Sequence, residues 1–143
     1  MKYSIKYFGN PDGIDLKRFV PKEGDFFIEV EIEIQFGDNE ENVENYSFAV
    51  GTPNEMAKYY NSLLEEIANT LSTPKMTFVG STIVIEKYDY DKILEFITKY
   101  LDEIKGRTQT EQSLLLARNL DWEFLAEYPD SFRIVFDDIK SGK

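Results

Sequence analysis

The chain contains no cysteine. That excludes a disulfide framework and a thiolate zinc site, and it fits a reducing compartment. Histidine is absent as well, which removes the commonest general base and the commonest metal ligand. No apolar run reaches the length of a membrane span or a signal-peptide core. Met1-Lys2-Tyr3-Ser4 is expected to open straight into structure, and the default expectation is a cytoplasmic protein. No phosphate loop, dinucleotide fingerprint or nucleophile elbow occurs. Carboxylate pairs such as Glu65-Glu66 and Asp102-Glu103 are neighbours on expected helices, where adjacent side chains diverge. No catalytic residue, cofactor or metal is therefore expected, and the chain reads as a binding protein rather than an enzyme.

The most informative deficit is local. From Glu23 to Ala57 there is no Lys or Arg, while the segment holds ten acids: Glu23, Asp25, Glu29, Glu31, Glu33, Asp38, Glu40, Glu41, Glu44 and Glu55. The whole chain has 27 acids, 16 bases and a net charge of -11. Outside this segment the balance is 17 acids to 16 bases, so the excess negative charge sits in one quarter of the sequence. Such acidity argues against nucleic acid or an anionic membrane as the main partner, and it favours a basic one.

The same segment is patterned. From Ile28 to Phe36 apolar and polar residues alternate without a slip, which is the mark of a half-buried strand. Ile28, Val30, Ile32, Ile34 and Phe36 should face a core, with Glu29, Glu31, Glu33 and Gln35 facing away. A polar turn at Gly37–Asn42 and the alternation at Tyr46, Phe48 and Val50 predict a returning strand and an antiparallel hairpin.

Around the hairpin the 143 residues read as one domain, long enough to bury roughly 68–70% of the unfolded surface. Lys2 to Phe8 predicts a strand with Tyr3, Ile5 and Tyr7 inward, and Ile14 to Val20 a brief helical turn. Thr52-Pro53-Asn54-Glu55 predicts a capped helix running to about Leu71, with Met56, Tyr60, Leu63, Leu64, Ile67 and Leu71 on one face. Met76 and Phe78, then Ile83 to Tyr88, predict two strands around a turn at Gly80-Ser81. Asp89 should cap a helix that buries Ile93, Phe96, Ile97, Tyr100, Leu101 and Ile104 and stops at Gly106. Thr108 and Glu111 should box a third helix through Leu114, Leu115 and Leu120. Trp122-Glu123-Phe124 predicts a short strand, and Phe132, Ile134 and Phe136 an ordered tail. The expected fold is α+β: a mainly antiparallel sheet of about five or six strands with two or three helices on one face.

These elements, in this order, resemble the immunity protein 8 family of bacterial polymorphic toxin systems. Val20-Pro21 precedes the long alternating strand, an acidic glycine-containing loop follows, and an aromatic strand ends in Gly51-Thr52-Pro53. Ile83-Val84-Ile85-Glu86-Lys87-Tyr88-Asp89-Tyr90 leads into a helix, and Trp122-Glu123-Phe124 closes the pattern. The resemblance covers roughly 1–124, and 129–143 reads as a C-terminal extension. It implies a protein that binds and neutralises a cognate toxin domain in the producing cell. No catalytic residue comes with it.

The partner expected is a basic toxin domain, such as a nuclease, whose phosphate-binding surface an acidic protein can occlude. The residues expected to meet it are Glu29, Glu31, Glu33, Asp38, Glu40, Glu41 and Glu44, with Asn42 to Asn45 nearby. A solvated face whose acidity serves solubility is the plain alternative. Asp38-Asn39-Glu40-Glu41 lacks the ligand order of a calcium loop. Trp122 is expected to pack in the core rather than to serve as a contact.

Overall fold

The computed structural model describes residues 2–70 and 81–122. Five strands and three helices follow in the order β1 (Tyr3–Gly9), β2 (Phe27–Phe36), β3 (Val43–Gly51), α1 (Pro53–Thr70), β4 (Thr82–Val84), α2 (Tyr90–Glu103), α3 (Gln109–Leu116) and β5 (Asp121–Trp122). The fold is α+β with a mixed, mostly antiparallel sheet. Expectations for Leu71, Met76, Phe78, Glu123, Phe124 and the tail at Phe132, Ile134 and Phe136 lie outside the described residues, as do those for the Leu63, Leu64 and Ile67 side chains.

The β2–β3 hairpin is the centre of the sheet. Ile28 pairs with Val50, Ile32 with Tyr46 and Gln35 with Val43. The turn closes through polar groups: Asn39 Oδ1 accepts from Glu41 N at 3.0 Å, and Asn42 N donates to Asn39 O at 3.0 Å. The inward side chains of β2 are all but sealed, from 5% exposure at Ile28 to 0% at Ile34. Each contributes about 1.5–3 kcal/mol by leaving water, an upper figure because unfolded chains already bury some surface. They pack with Phe48 and Val50 of β3, with Ile93, Ile97 and Leu101 of α2, and with Leu116 and Leu120.

The outer strands depart from simple alternation. β1 pairs antiparallel with β2, but the register shifts between Ile5 and Tyr7, so Lys6 is an extra residue with no place in the pairing. This bulge turns the strand over. Tyr3 and Ile5 pack against the core as expected, but Tyr7 does not; it points outward at 44% exposure and Phe8 goes in. On the other side, β4 runs parallel to β3, with Ala49 beside Thr82 and Gly51 beside Val84. A parallel neighbour needs a long crossover, and the 18 residues of α1 lie in it. β5 takes the rest of that edge, pairing Tyr46 with Trp122 and Ser47 with Asp121.

The helix starts divide in the same way. Asp89 Oδ1 accepts from Lys92 N at 3.1 Å, and Thr108 Oγ1 accepts from Glu111 N at 3.1 Å, as the spacing predicts. Thr52 does not cap α1. The register that pairs Phe27 with Gly51 sets Thr52 opposite Phe26, so its hydroxyl accepts from Phe26 N at 3.1 Å instead. Glu55 turns to Lys58 at 3.0 Å. α2 ends at Glu103, before Gly106. Gly106 matters for contact rather than for stopping the helix, because a Cβ there would lie 2.4 Å from Gln112 N. Phe96 is 57% exposed rather than buried. Ile93, Ile97 and Leu101 repeat every four residues and fill the sheet-facing stripe, and Phe96 falls to its side.

The buried Thr52 hydroxyl gives a direct test. Thr52→Val keeps the shape and leaves Phe26 N without its partner. It should lose about 1–3 kcal/mol in urea unfolding with an unchanged m value.

Candidate functional site

The outward face of β2 carries Glu29 and Glu31 exposed, Glu33 half-buried and Gln35 buried. Strand pairing identifies what stands beside them. On β3 the partners of Glu29, Glu31 and Glu33 are Ala49, Ser47 and Asn45. On β1 the partners of Glu31 and Glu33 are Gly9 and Tyr7. None is basic, and Lys6 drops out of the pairing at the bulge. The residues paired with the row are therefore free of bases, with the exposed Lys6 at the bulge the one base within β1. Glutamates two apart lie roughly 7 Å from each other and repel by only about 0.6 kcal/mol in water, so the row is inexpensive to maintain.

The ten acids are spread from just before β2 through the turn to the start of α1 and do not form one cluster. β2 is 10 residues long, or about 33 Å. At its far end Asp38, Glu40 and Glu41 are exposed in the turn, and Asp38 pairs with Lys2 at 3.1 Å. Near its start Asp25 accepts from Asn54 at 3.3 Å and Glu55 holds Lys58. The Lys58 ammonium is raised above its ordinary pKa by the hydrogen bond to Glu55, then by that carboxylate's charge, with Asp25 and Glu23 adding to it. Glu29, Glu31 and Glu33 are the members brought together on one face of the sheet.

Glu44 is placed differently. It shares the parity of Tyr46 and Phe48, so its carboxylate points to the helical layer. There it accepts from the Tyr46 hydroxyl at 2.9 Å and from Ser113 Oγ. Beside it, Asn42 and Gln109 exchange two amide hydrogen bonds, at 2.6 and 2.7 Å. This polar clasp fixes the hairpin to α3. Trp122 is 5% exposed and stacks on Tyr46 at 6.4 Å, so it belongs to the core.

Sequence reasoning missed Asp121. β5 sets it beside Ser47, whose other neighbour is Glu31, so the carboxylate lies on the same face one strand further across. It is exposed and accepts from Ser81 Oγ at 2.9 Å. The one available signal was the Trp122 alternation, which sets its neighbour facing away. It does not say beside which strand.

Among the described residues no three carboxylates are grouped to hold a metal ion, and no helix is long and apolar enough to cross a membrane. Among the described residues, the titratable groups that depart most from ordinary behaviour are tyrosines. Burial, then the Glu44 charge, raises Tyr46. Burial, then the Asp102 hydrogen bond, raises Tyr3. Burial pushes Tyr88 up to about 12, and its hydroxyl donates to Leu16 O inside an edge-to-face cluster with Phe19 and Phe26.

What these described residues offer is a row of carboxylates on the outward face of a hairpin clasped to α3. The chain belongs to the Immunity protein 8 family, whose model matches residues 4–128. That membership gives it a toxin-neutralising immunity role. No curated protein and no solved structure matches the chain.

The raised tyrosines set a pH dependence. In the unfolded chain Tyr88 loses its proton near the ordinary 10.0, and in the folded chain near 12. Above pH 10 the folded state therefore holds protons that the unfolded state releases, and stability falls as pH rises toward 12. Urea midpoints should drop across that interval. Tyr88→Phe should flatten part of the fall while lowering stability at neutral pH by about 1 kcal/mol through the lost bond to Leu16.

Proposed function

We propose that this chain is the cytoplasmic inhibitor of one cognate toxin domain, and that it covers a basic surface of that domain with the outward face of β2. Glu29, Glu31 and Glu33 are the centre of the contact, Asp38, Glu40 and Glu41 extend it beyond the turn, and Asp121 widens it. Glu44 serves as a positioning residue that holds β3 to α3. The chain acts as one unit from 1 to 143. The observation that carries this reading is the absence of any base among the strand partners of the row. A surface kept only for solubility normally mixes signs.

The physical logic is steering followed by occlusion. An all-acidic face attracts a cationic partner over distances comparable to the Debye length and raises the rate of productive encounter. Domains that handle phosphate-rich substrates carry the complementary charge, so a nuclease toxin is the partner class that fits. Once seated, the flat sheet face blocks that surface against substrate. No chemistry is required of the inhibitor.

Co-purification with the toxin domain encoded beside the gene identifies the partner. Glu29→Gln, Glu31→Gln and Glu33→Gln together should then slow association roughly tenfold at low salt, and the difference should close as salt rises. An unchanged association rate removes the acidic face from the mechanism. Glu44→Gln should instead lower stability and leave the association rate alone.

A further inference from the structure

The outward face is not purely charged. Of the described tyrosines only Tyr7 and Tyr59 are exposed, at 44% and 46%, and both border the glutamate row. Tyr7 is there because the bulge at Lys6 turns it out, against the alternation of its own strand. Its ring then lies over Gly9: a Cβ on Gly9 would come within 2.2 Å of the Tyr7 hydroxyl and 2.4 Å of the ring carbon bearing it. Gly9 is the strand partner of Glu31, and Tyr7 that of Glu33. The ring thus lies along β1 over Gly9, alongside the Glu31 and Glu33 positions of β2. At the other end of the row Tyr59 stacks on Phe27 at 4.4 Å with a 19° interplanar angle. Phe27 precedes Glu29 on the same face, and about 13 Å of strand separates it from Glu31.

We propose that Tyr7 and Tyr59 are the anchors of this surface and that the partner side chains they receive are arginines. The proposal rests on the acidic face being the contact surface and deepens that reading. A guanidinium is flat, weakly hydrated and always charged. It can lie on an aromatic ring while its edge donates two hydrogen bonds to a carboxylate. An ammonium is a compact, strongly hydrated charge and gains less from a ring. Carboxylates alone attract both cations, and the guanidinium fork already fits them better. A fixed aromatic face beside the carboxylates widens that difference. Tyrosine also supplies rigid contact area at little entropic cost, so side chains of this kind dominate the centres of interfaces. Gly9 is part of the device, since only a residue without a side chain leaves room for the Tyr7 ring.

The test uses the intact chain and two synthetic probes, decapeptides of arginine and of lysine, titrated by calorimetry with amide shifts followed at Gly9, Glu31 and Glu33. The arginine peptide should bind roughly two- to fivefold more tightly than the lysine peptide, with the shifts centred on those amides. Tyr7→Phe should keep the preference. Tyr7→Leu should shrink it, and so should Gly9→Ala, which displaces the ring without altering its chemistry. Circular dichroism confirms that each variant is folded. Equal binding of the two peptides by the unaltered chain, or a full preference in both Tyr7→Leu and Gly9→Ala, overturns the anchor proposal and leaves the acidic contact face standing. Binding of neither peptide overturns both.

Discussion

The strict two-faced character of β2 is the constraint on which the rest of the structure depends. Five apolar side chains on one face are sealed against α2, α3 and β3, and that fixes the register of the hairpin. A slip of one residue would carry Glu29, Glu31 and Glu33 into the core. An unpaired carboxylate there costs several kcal/mol after relaxation. Core formation and display of the acidic row are therefore one requirement met by one alternation. The row cannot be hidden without unfolding the hairpin, and the core cannot form without exposing the row.

The ends of the hairpin are held by polar groups rather than by more apolar surface. Thr52 ties the end of β3 to Phe26 just before β2. Glu44, Tyr46, Ser113, Asn42 and Gln109 tie the turn end to α3. Buried or half-buried, these bonds are costly to break because each leaves a group without a partner. They hold rigid a strand whose outward face has little cross-strand attraction of its own. A rigid, flat surface is what an inhibitor needs if recognition is not to be diluted by ordering costs. The same rigidity makes the position of Tyr7 meaningful, since a ring held against Gly9 is already where a partner would find it.

Charge and shape then divide the work. On the proposed reading the long acidic stripe acts at a distance and sets how fast a cationic partner arrives. On the same proposal the aromatic rings act at contact and set how long it stays. The two components are structurally separate in this chain, because one is spread along β2 and the other depends on a bulge and a glycine in β1.

The sequence alone determined the hairpin, the inward and outward residues of β2, the caps at Asp89 and Thr108 and the family to which the chain belongs. Each is a local property: an unbroken period of two, a short side chain one residue ahead of a helix, a run of motifs in order. Tertiary structure decided the rest. Whether Tyr7 faces in or out depends on a register shift against β2, which no pattern within β1 records. The Thr52 hydroxyl answered to Phe26, 26 residues away. Glu44 looked like one more surface acid until its parity and Ser113 gave it a place inside. β4 runs parallel because α1 carries the chain back across the sheet, and Asp121 joins the acidic face because β5 settles on the free edge of β3. The physical reason is common to all of these: alternation fixes which side chains share a face, but only the neighbouring strand or helix fixes what that face meets.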